Sequence, residues 1–235
     1  MRNLTLMSTL AVEVALKRSI LPGWSAAGHG VDVQWSPTAV LMDRVRGGER
    51  ADAIIMIDES MQSLAEAGIV RAGTVTPIAR AGFGLAVRAG TPAPDISTPE
   101  TFKEALVSAR AVAYSLTGAS GIYFGDLVDR LGVAETVKAR AVTIPAGFTA
   151  QKLVTGEADL AVQQISELMS VEGVEVVGPF PDPLQKHTDF SVAVFTDAAN
   201  PDLAEEFIAH LTSPEADRAY RLGGLTSRLA ATAQQ

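Results

Sequence analysis

The chain has 235 residues, 47% hydrophobic and 20% charged, with 20 Gly, 12 Pro and no Cys, enough to bury a full core without covalent staples. Its net charge of -8 argues against a nucleic-acid partner, which needs a basic face to displace counterions. The lack of Cys excludes disulfides, thiolate chemistry and thiolate zinc sites.

Aromatics make up only 6% of the chain, so Ala, Val, Leu and Ile must fill the core, as in parallel sheets covered by helices. The nearest basic cluster, Asp43 to Arg46, reads as a solvated helix face. The three His, His29, His187 and His210, are far apart in sequence and have no metal-binding spacing. No metal site and no cofactor are expected.

The first 21 residues contain no continuous apolar stretch and no small-residue cleavage site, because Thr5, Ser8, Thr9, Glu13, Lys17 and Arg18 interrupt it. The chain as written is expected in the cytoplasm. A periplasmic location, with an ABC permease as partner, is expected only if a leader has been removed. No stretch approaches the roughly 20 apolar residues of a membrane span.

Short β runs alternate with amphipathic helical stretches, the pattern of parallel βαβ units. Leu4 to Met7 reads as a strand, and Ser8 and Thr9 open a helix running to about Leu21. Val31 to Trp35 is the second strand, and Ser36, Pro37 and Thr38 open the next helix, where a proline costs no hydrogen bond. Ala53 to Ile57 is a wholly apolar strand running into Asp58, Glu59 and Ser60. Three strands thus end in short polar side chains at helix starts. Each hydroxyl alone reads as a helix cap. Together they suggest the anion-attracting rim that forms where parallel strands end beneath helix N–H groups.

Ala79 to Val87 reads as a strand, and Ser97-Thr98-Pro99-Glu100 as a capping-box opening to a helix. Ala111 to Tyr114 is a strand running into Ser115-Leu116-Thr117-Gly118-Ala119-Ser120-Gly121, with a helix expected from Ile122 to Leu131. Glycines in such a loop let main-chain N–H groups approach a ligand, and Thr117 and Ser120 add neutral donors. The loop lacks the Gly-Lys-Ser/Thr ending of a Walker loop and the spacing of a dinucleotide fingerprint. It reads either as an anion or carboxylate site or as a tight turn before a capped helix.

Ala141 to Ile144 is a strand, Pro145-Ala146-Gly147 its turn, and a helix follows to Thr155. Leu160 to Gln164 is a strand ending in two amides, of which alternation lets only one face the site. Val174 to Val177 and Phe190 to Phe195 flank a Gly178-Pro179-Phe180-Pro181 loop. Two helices follow, one through Leu211 and one ending at Gly223-Gly224, and Thr226 to Gln235 reads as weakly ordered.

The order and spacing of several segments resemble the molybdate-binding-protein-like branch of the type II periplasmic solute-binding proteins over nearly the whole length. These segments are the opening strand into Ser8-Thr9, RGGERADAIIMIDESMQSL, ASGIYF, VTGEADLAV, NPDLAEEF and TSPEADRAYRLGG. The resemblance implies an α/β, two-lobed fold with a hinged interlobe cleft holding a small anion. Residues 1–79 and 196–235 would form one lobe and 80–195 the other, joined by two crossing segments. Position by position, it places oxyanion contacts on Ser8 or Thr9, on Thr38, on Ser120 beside Gly121, and on Ala146 beside Gly147. With the local reading, the expected ligand contacts are Ser8, Thr9, Ser36, Thr38, Ser115, Thr117, Gly118, Ser120, Gly121, Ala146, Gly147 and Gln164.

At the family's cleft tyrosine this chain has Gln164, an amide that donates and accepts and so suits a carboxylate or mixed polar ligand. A related branch resembles aconitate isomerase, an enzyme on a small unsaturated polycarboxylate. Such chemistry needs a base for an allylic proton and donors for the developing dienolate. Asp58 and Glu59 are candidate bases, Arg80 and Arg71 candidate carboxylate partners, and Tyr123 a candidate phenolic donor. The plainer reading makes the acids helix caps, the arginines surface charges and the tyrosine a packing residue.

Overall fold

A computed structural model describes residues 2–229. In chain order it contains β1 (Asn3–Ser8), a helical stretch with α1 (Glu13–Ala15) and α2 (Leu21–Ala26), β2 (Gly30–Trp35), α3 (Thr38–Arg46), β3 (Ala53–Ile57) and α4 (Asp58–Glu66). Next come the long β4 (Thr76–Arg88), α5 (Pro99–Ser108), β5 (Val112–Ser115), α6 (Ala119–Arg130), α7 (Ala134–Lys138), β6 (Val142–Ile144), α8 (Gln151–Val154), β7 (Leu160–Gln164) and α9 (Ile165–Leu168). The chain finishes with β8 (Val174–Pro179), β9 (His187–Val194), α10 (Pro201–Leu211), α11 (Pro214–Leu222) and β10 (Thr226–Ser227).

The chain forms two compact units, the first running through Arg80 and resuming at Thr188, the second spanning Ala81–His187. The sequence alone places the second passage at 195/196. It falls earlier because β9 is one continuous strand whose Phe190 to Val194 pair with Ile57 to Ala53 of β3, tying them to the first unit.

In unit 1, β1 lies between parallel neighbours β2 and β3, and β9 adds antiparallel to β3. The C-terminal ends of β2, β1 and β3 therefore share one edge. Met7, Ile54, Met56, Leu41, Val45, Met61, Leu64 and Phe195 pack into one cluster. Buried Asp52 cross-links distant segments, accepting from the Thr5 N–H (2.8 Å), the Thr5 hydroxyl (2.8 Å) and the Asn200 N–H (2.7 Å). The expected helix after Thr9 is broken into a 3-10 turn, α1, a π turn at Leu16–Ile20 and α2. Pro22 has no N–H to donate back, and the turn ahead of it is widened by one residue. Trp24 stacks on His29 (4.5 Å between ring centroids) and meets Phe207 edge-on (5.0 Å).

In unit 2, β5 is flanked by parallel β6 and β7, and β7 pairs antiparallel with β4, whose Arg88 end also pairs with β8. The sheet is covered on both faces. One face packs Phe83, Tyr114 and Val162 against Phe102, Phe124 and Phe180. The other packs Ala86, Ala113 and Ala161 against Ala150, Leu153 and Leu168. The capping box at α5 joins Thr98 to Thr101, not to Glu100, because Pro99 is the first helical residue and Thr101 the third. Thr226–Ser227, read as weakly ordered, pair with Arg80 and Ala79. Residues 230–235 of that stretch lie outside the described residues. No helix among the described residues is long and apolar enough to cross a membrane.

Candidate functional site

In unit 2 the ends of β7, β5 and β6 bring Gln164, the Ser115–Gly121 segment and the Pro145–Gly147 turn to one sheet edge. The helix expected from Ile122 starts three residues earlier, at Ala119, with Gly118 as its cap. Its first hydrogen bond runs from the Ile122 N–H to the Gly118 carbonyl (3.0 Å). The N–H groups of Ala119, Ser120 and Gly121 therefore have no acceptor within the helix, and they carry the positive end of its dipole.

Two of the hydroxyls expected to bind ligand in this segment are engaged by main-chain groups. The Ser115 Oγ accepts from the Thr117 N–H (3.3 Å) and the Gly118 N–H (3.0 Å). The Thr117 hydroxyl donates to the Pro145 carbonyl. Both residues shape the rim and leave the donating to the α6 backbone. Gly121 answers to packing, since a Cβ there would stand 1.7 Å from the Ser115 carbonyl oxygen.

The two adjacent amides divide as strand alternation requires. Gln163 faces the alanine-rich side, donating to the Gly147 carbonyl (2.9 Å) and accepting from the Thr149 N–H (2.8 Å) and hydroxyl (3.0 Å). It holds the 147–149 turn in place, a role the sequence reading missed; a strand-end amide aligned with a glycine turn was the available sign. Ala146 and Gly147 thus sit on a braced turn, with Gly147 at φ +96°.

Gln164 pairs with Phe83 across β4 and β7, so both side chains lie on the same sheet face. That face carries α6, whose Tyr123 ring is 5.5 Å from that of Phe83. Gln164 is 6% exposed, and its Oε1 is buried with no hydrogen-bond partner. The expected residues of unit 2 therefore form a rim of neutral donors, with one unspent amide oxygen among them.

In unit 1, Ser8 ends β1 and Thr9 follows it, Ser36 and Thr38 follow β2 on the same edge, and Asp58 follows β3. Thr38 opens α3. The first bond of that helix runs from Leu41 to the Pro37 carbonyl (3.0 Å), so the N–H groups of Thr38, Ala39 and Val40 are its unmatched donors. The Ser8 and Ser36 hydroxyls bond locally, to the carbonyls of Thr9 (3.2 Å) and Trp35 (2.7 Å).

The residues considered for proton transfer are largely engaged. Asp58 accepts from the Ser191 hydroxyl (2.7 Å) and from Arg228 (2.8 Å). Arg80 is bidentate to Asp189 (2.6 and 2.8 Å), and Arg71 reaches Glu205 (3.5 Å). The Tyr123 hydroxyl donates to the Leu184 carbonyl (2.8 Å). A separate concavity in unit 2, lined by Val87, Arg88, Leu153 and Leu160, lies at the opposite ends of the strands from this rim.

Comparison with known proteins agrees with this architecture. Over 215 residues, 88% of this chain and 82% of the relative, the sequence is 32% identical to a protein named aconitate isomerase from a Pseudomonas species. Over 195 residues, 79% of this chain and 69% of the relative, it is 23% identical to the molybdate-binding protein ModA of Mycobacterium bovis. The structure of the Azotobacter vinelandii periplasmic molybdate-binding protein superposes with a TM-score of 0.78, covering 95% of this chain and 98% of that one at 16% identity. The fold is thus the α/β, two-unit fold of these binding proteins. The family model described as bacterial extracellular solute-binding protein matches residues 21–226, and the chain belongs to that family.

Proposed function

We propose that this chain binds a small anion, a carboxylate in preference to an inorganic oxyanion, through the strand-end donors described above. The observation that carries this reading is the buried, unpartnered Gln164 Oε1 on the α6 face of unit 2. A buried polar atom left unpaired costs about 1–3 kcal/mol, and because this one is an acceptor the cost is recovered by a ligand hydroxyl, which a hydroxy acid carries beside its carboxylate and molybdate or sulfate lacks. An amide meets a carboxylate with its NH2 and a ligand hydroxyl with its oxygen, and α6 adds three backbone donors at the positive end of its dipole. The 32% identity to a relative named for a carboxylate substrate supports the preference.

The test is a thermal-shift screen with molybdate, tungstate, sulfate, citrate, and cis- and trans-aconitate. A ligand present at about 100 times its dissociation constant stabilises by about 2.7 kcal/mol. Citrate should raise the melting temperature, and an aconitate, which has no hydroxyl for the Gln164 Oε1, should raise it less. Ala119→Pro should weaken that effect about tenfold in affinity at little cost in stability, because it deletes one N–H at the first position of α6, where proline fits. Stabilisation by molybdate alone would overturn the carboxylate preference.

A second reading, favoured by the same relative, is an isomerase of aconitate type. A base takes an allylic proton, donors hold the dienolate, and the proton returns at the other carbon. NMR of bound aconitate in deuterated water separates the two readings. Deuterium entering the ligand supports turnover, and an unlabelled ligand supports binding alone.

A further inference from the structure

We infer that Lys186 sets the charge class of the anion, selecting ligands that carry a second carboxylate beyond the one met by Gln164 and the start of α6. This rests on the anion-binding reading above. The argument is a chain of contacts within unit 2. Gln164 is paired with Phe83. Gln185 clasps the backbone of Phe83, accepting from its N–H (2.9 Å) and donating to its carbonyl (2.9 Å). The same Gln185 oxygen takes the Lys186 N–H (2.9 Å), fixing the lysine backbone beside the strand pair.

From there the Lys186 ammonium lies 5.5 Å from the centroid of the Tyr123 ring, and that ring is 5.5 Å from the Phe83 ring that shares a sheet face with Gln164. Arg130 stands 5.3 Å from the same Tyr123 ring. Among the described residues neither cation has a carboxylate partner, whereas Arg80, Arg71, Arg110, Lys138 and Lys152 all do. In a chain of net charge -8, two cations gathered at one α6 ring with no ion-pair partner concentrate positive charge on that face of the helix. An ammonium on a flexible stem can leave the ring to meet a ligand carboxylate, and its charge-assisted bond is about twice as strong as a neutral one. The Gln185 clasp ties the lysine backbone to the strand residue that pairs with Gln164.

The test is calorimetric titration of the full chain with citrate, which offers further carboxylates, and with glycolate, which offers one carboxylate and one hydroxyl. The wild-type chain should bind citrate at least tenfold more tightly. Lys186→Gln should weaken citrate about tenfold and glycolate less than twofold, and Lys186→Arg should restore citrate to within about threefold. An unchanged citrate affinity in Lys186→Gln, or equal wild-type affinities for the two ligands, overturns the inference. If Gln164→Ala abolishes citrate binding while Lys186→Gln leaves it intact, this inference falls and the anion-binding reading stands. If the wild-type chain binds no anion, both fall.

Discussion

The carbonyl oxygen of Ser115 occupies the space that a side chain on Gly121 would need, 1.7 Å from the position of its Cβ. The first turn of α6 therefore rests on the end of β5, which aims its free N–H groups at the rim. Gly121→Ala should destabilise the protein by at least about 2 kcal/mol through overpacking and abolish anion binding. Gly125, in the same helix, has open space for 4 Å around the point where a Cβ would stand, so Gly125→Ala should stabilise by about 0.5–1 kcal/mol through helix propensity alone. Urea denaturation of the two variants measures the opposite signs.

Gln163 and Gln164 should also respond in opposite directions. Gln163→Ala strands the Thr149 N–H and the Gly147 carbonyl, both now bonded to it, and should cost about 1–3 kcal/mol. Gln164→Met removes a buried oxygen that has no partner while keeping a similar shape, so stability should hold or rise by about 1 kcal/mol. Its citrate affinity should fall at least tenfold. Paired melting and binding curves decide the point, and a destabilised Gln164→Met with normal affinity would make the amide structural.

Acid sensitivity should centre on Asp52. Burial pushes its carboxyl up, but the bonds from Thr5 and Asn200 outweigh this and hold it below the usual carboxylate range. A depressed folded value means that its contribution is present above the unfolded value near about pH 4. The contribution is lost as pH falls through the lower, folded value. Asp52→Asn should cost about 1–3 kcal/mol near neutrality and flatten the dependence of stability on pH below about pH 4. Urea midpoints measured across that window check both.

Legibility in the sequence followed the physical strength of each signal. β3 was readable to the residue because Ala53–Ile57 is wholly apolar between Asp52 and Asp58. The start of α6 was not, because Ala119, Ser120 and Gly121 resemble loop residues and become helical through the fit of Gly121 on Ser115. The four- and five-residue helices α9 and α7 are too short to show a period. The placement of small polar residues at the strand ends was legible. Which hydroxyls are taken up by main-chain groups was not, since the bonds of Ser115 and Thr117 depend on where neighbouring loops lie. Lys186 carries no motif; only the Gln185 clasp on Phe83 reveals its place.

The aromatic cluster around Trp24 makes unit 1 optically distinct. Both tryptophans of the chain, Trp24 and Trp35, belong to that unit, whereas Ala81–His187 holds Tyr114 and Tyr123 but no tryptophan. Indole fluorescence excited at the red edge therefore observes one core only, and Trp24 reports directly on its contact with His29. Emission from Trp24 and Trp35, compared with far-ultraviolet dichroism of the whole backbone, tells whether the two cores melt together or in sequence.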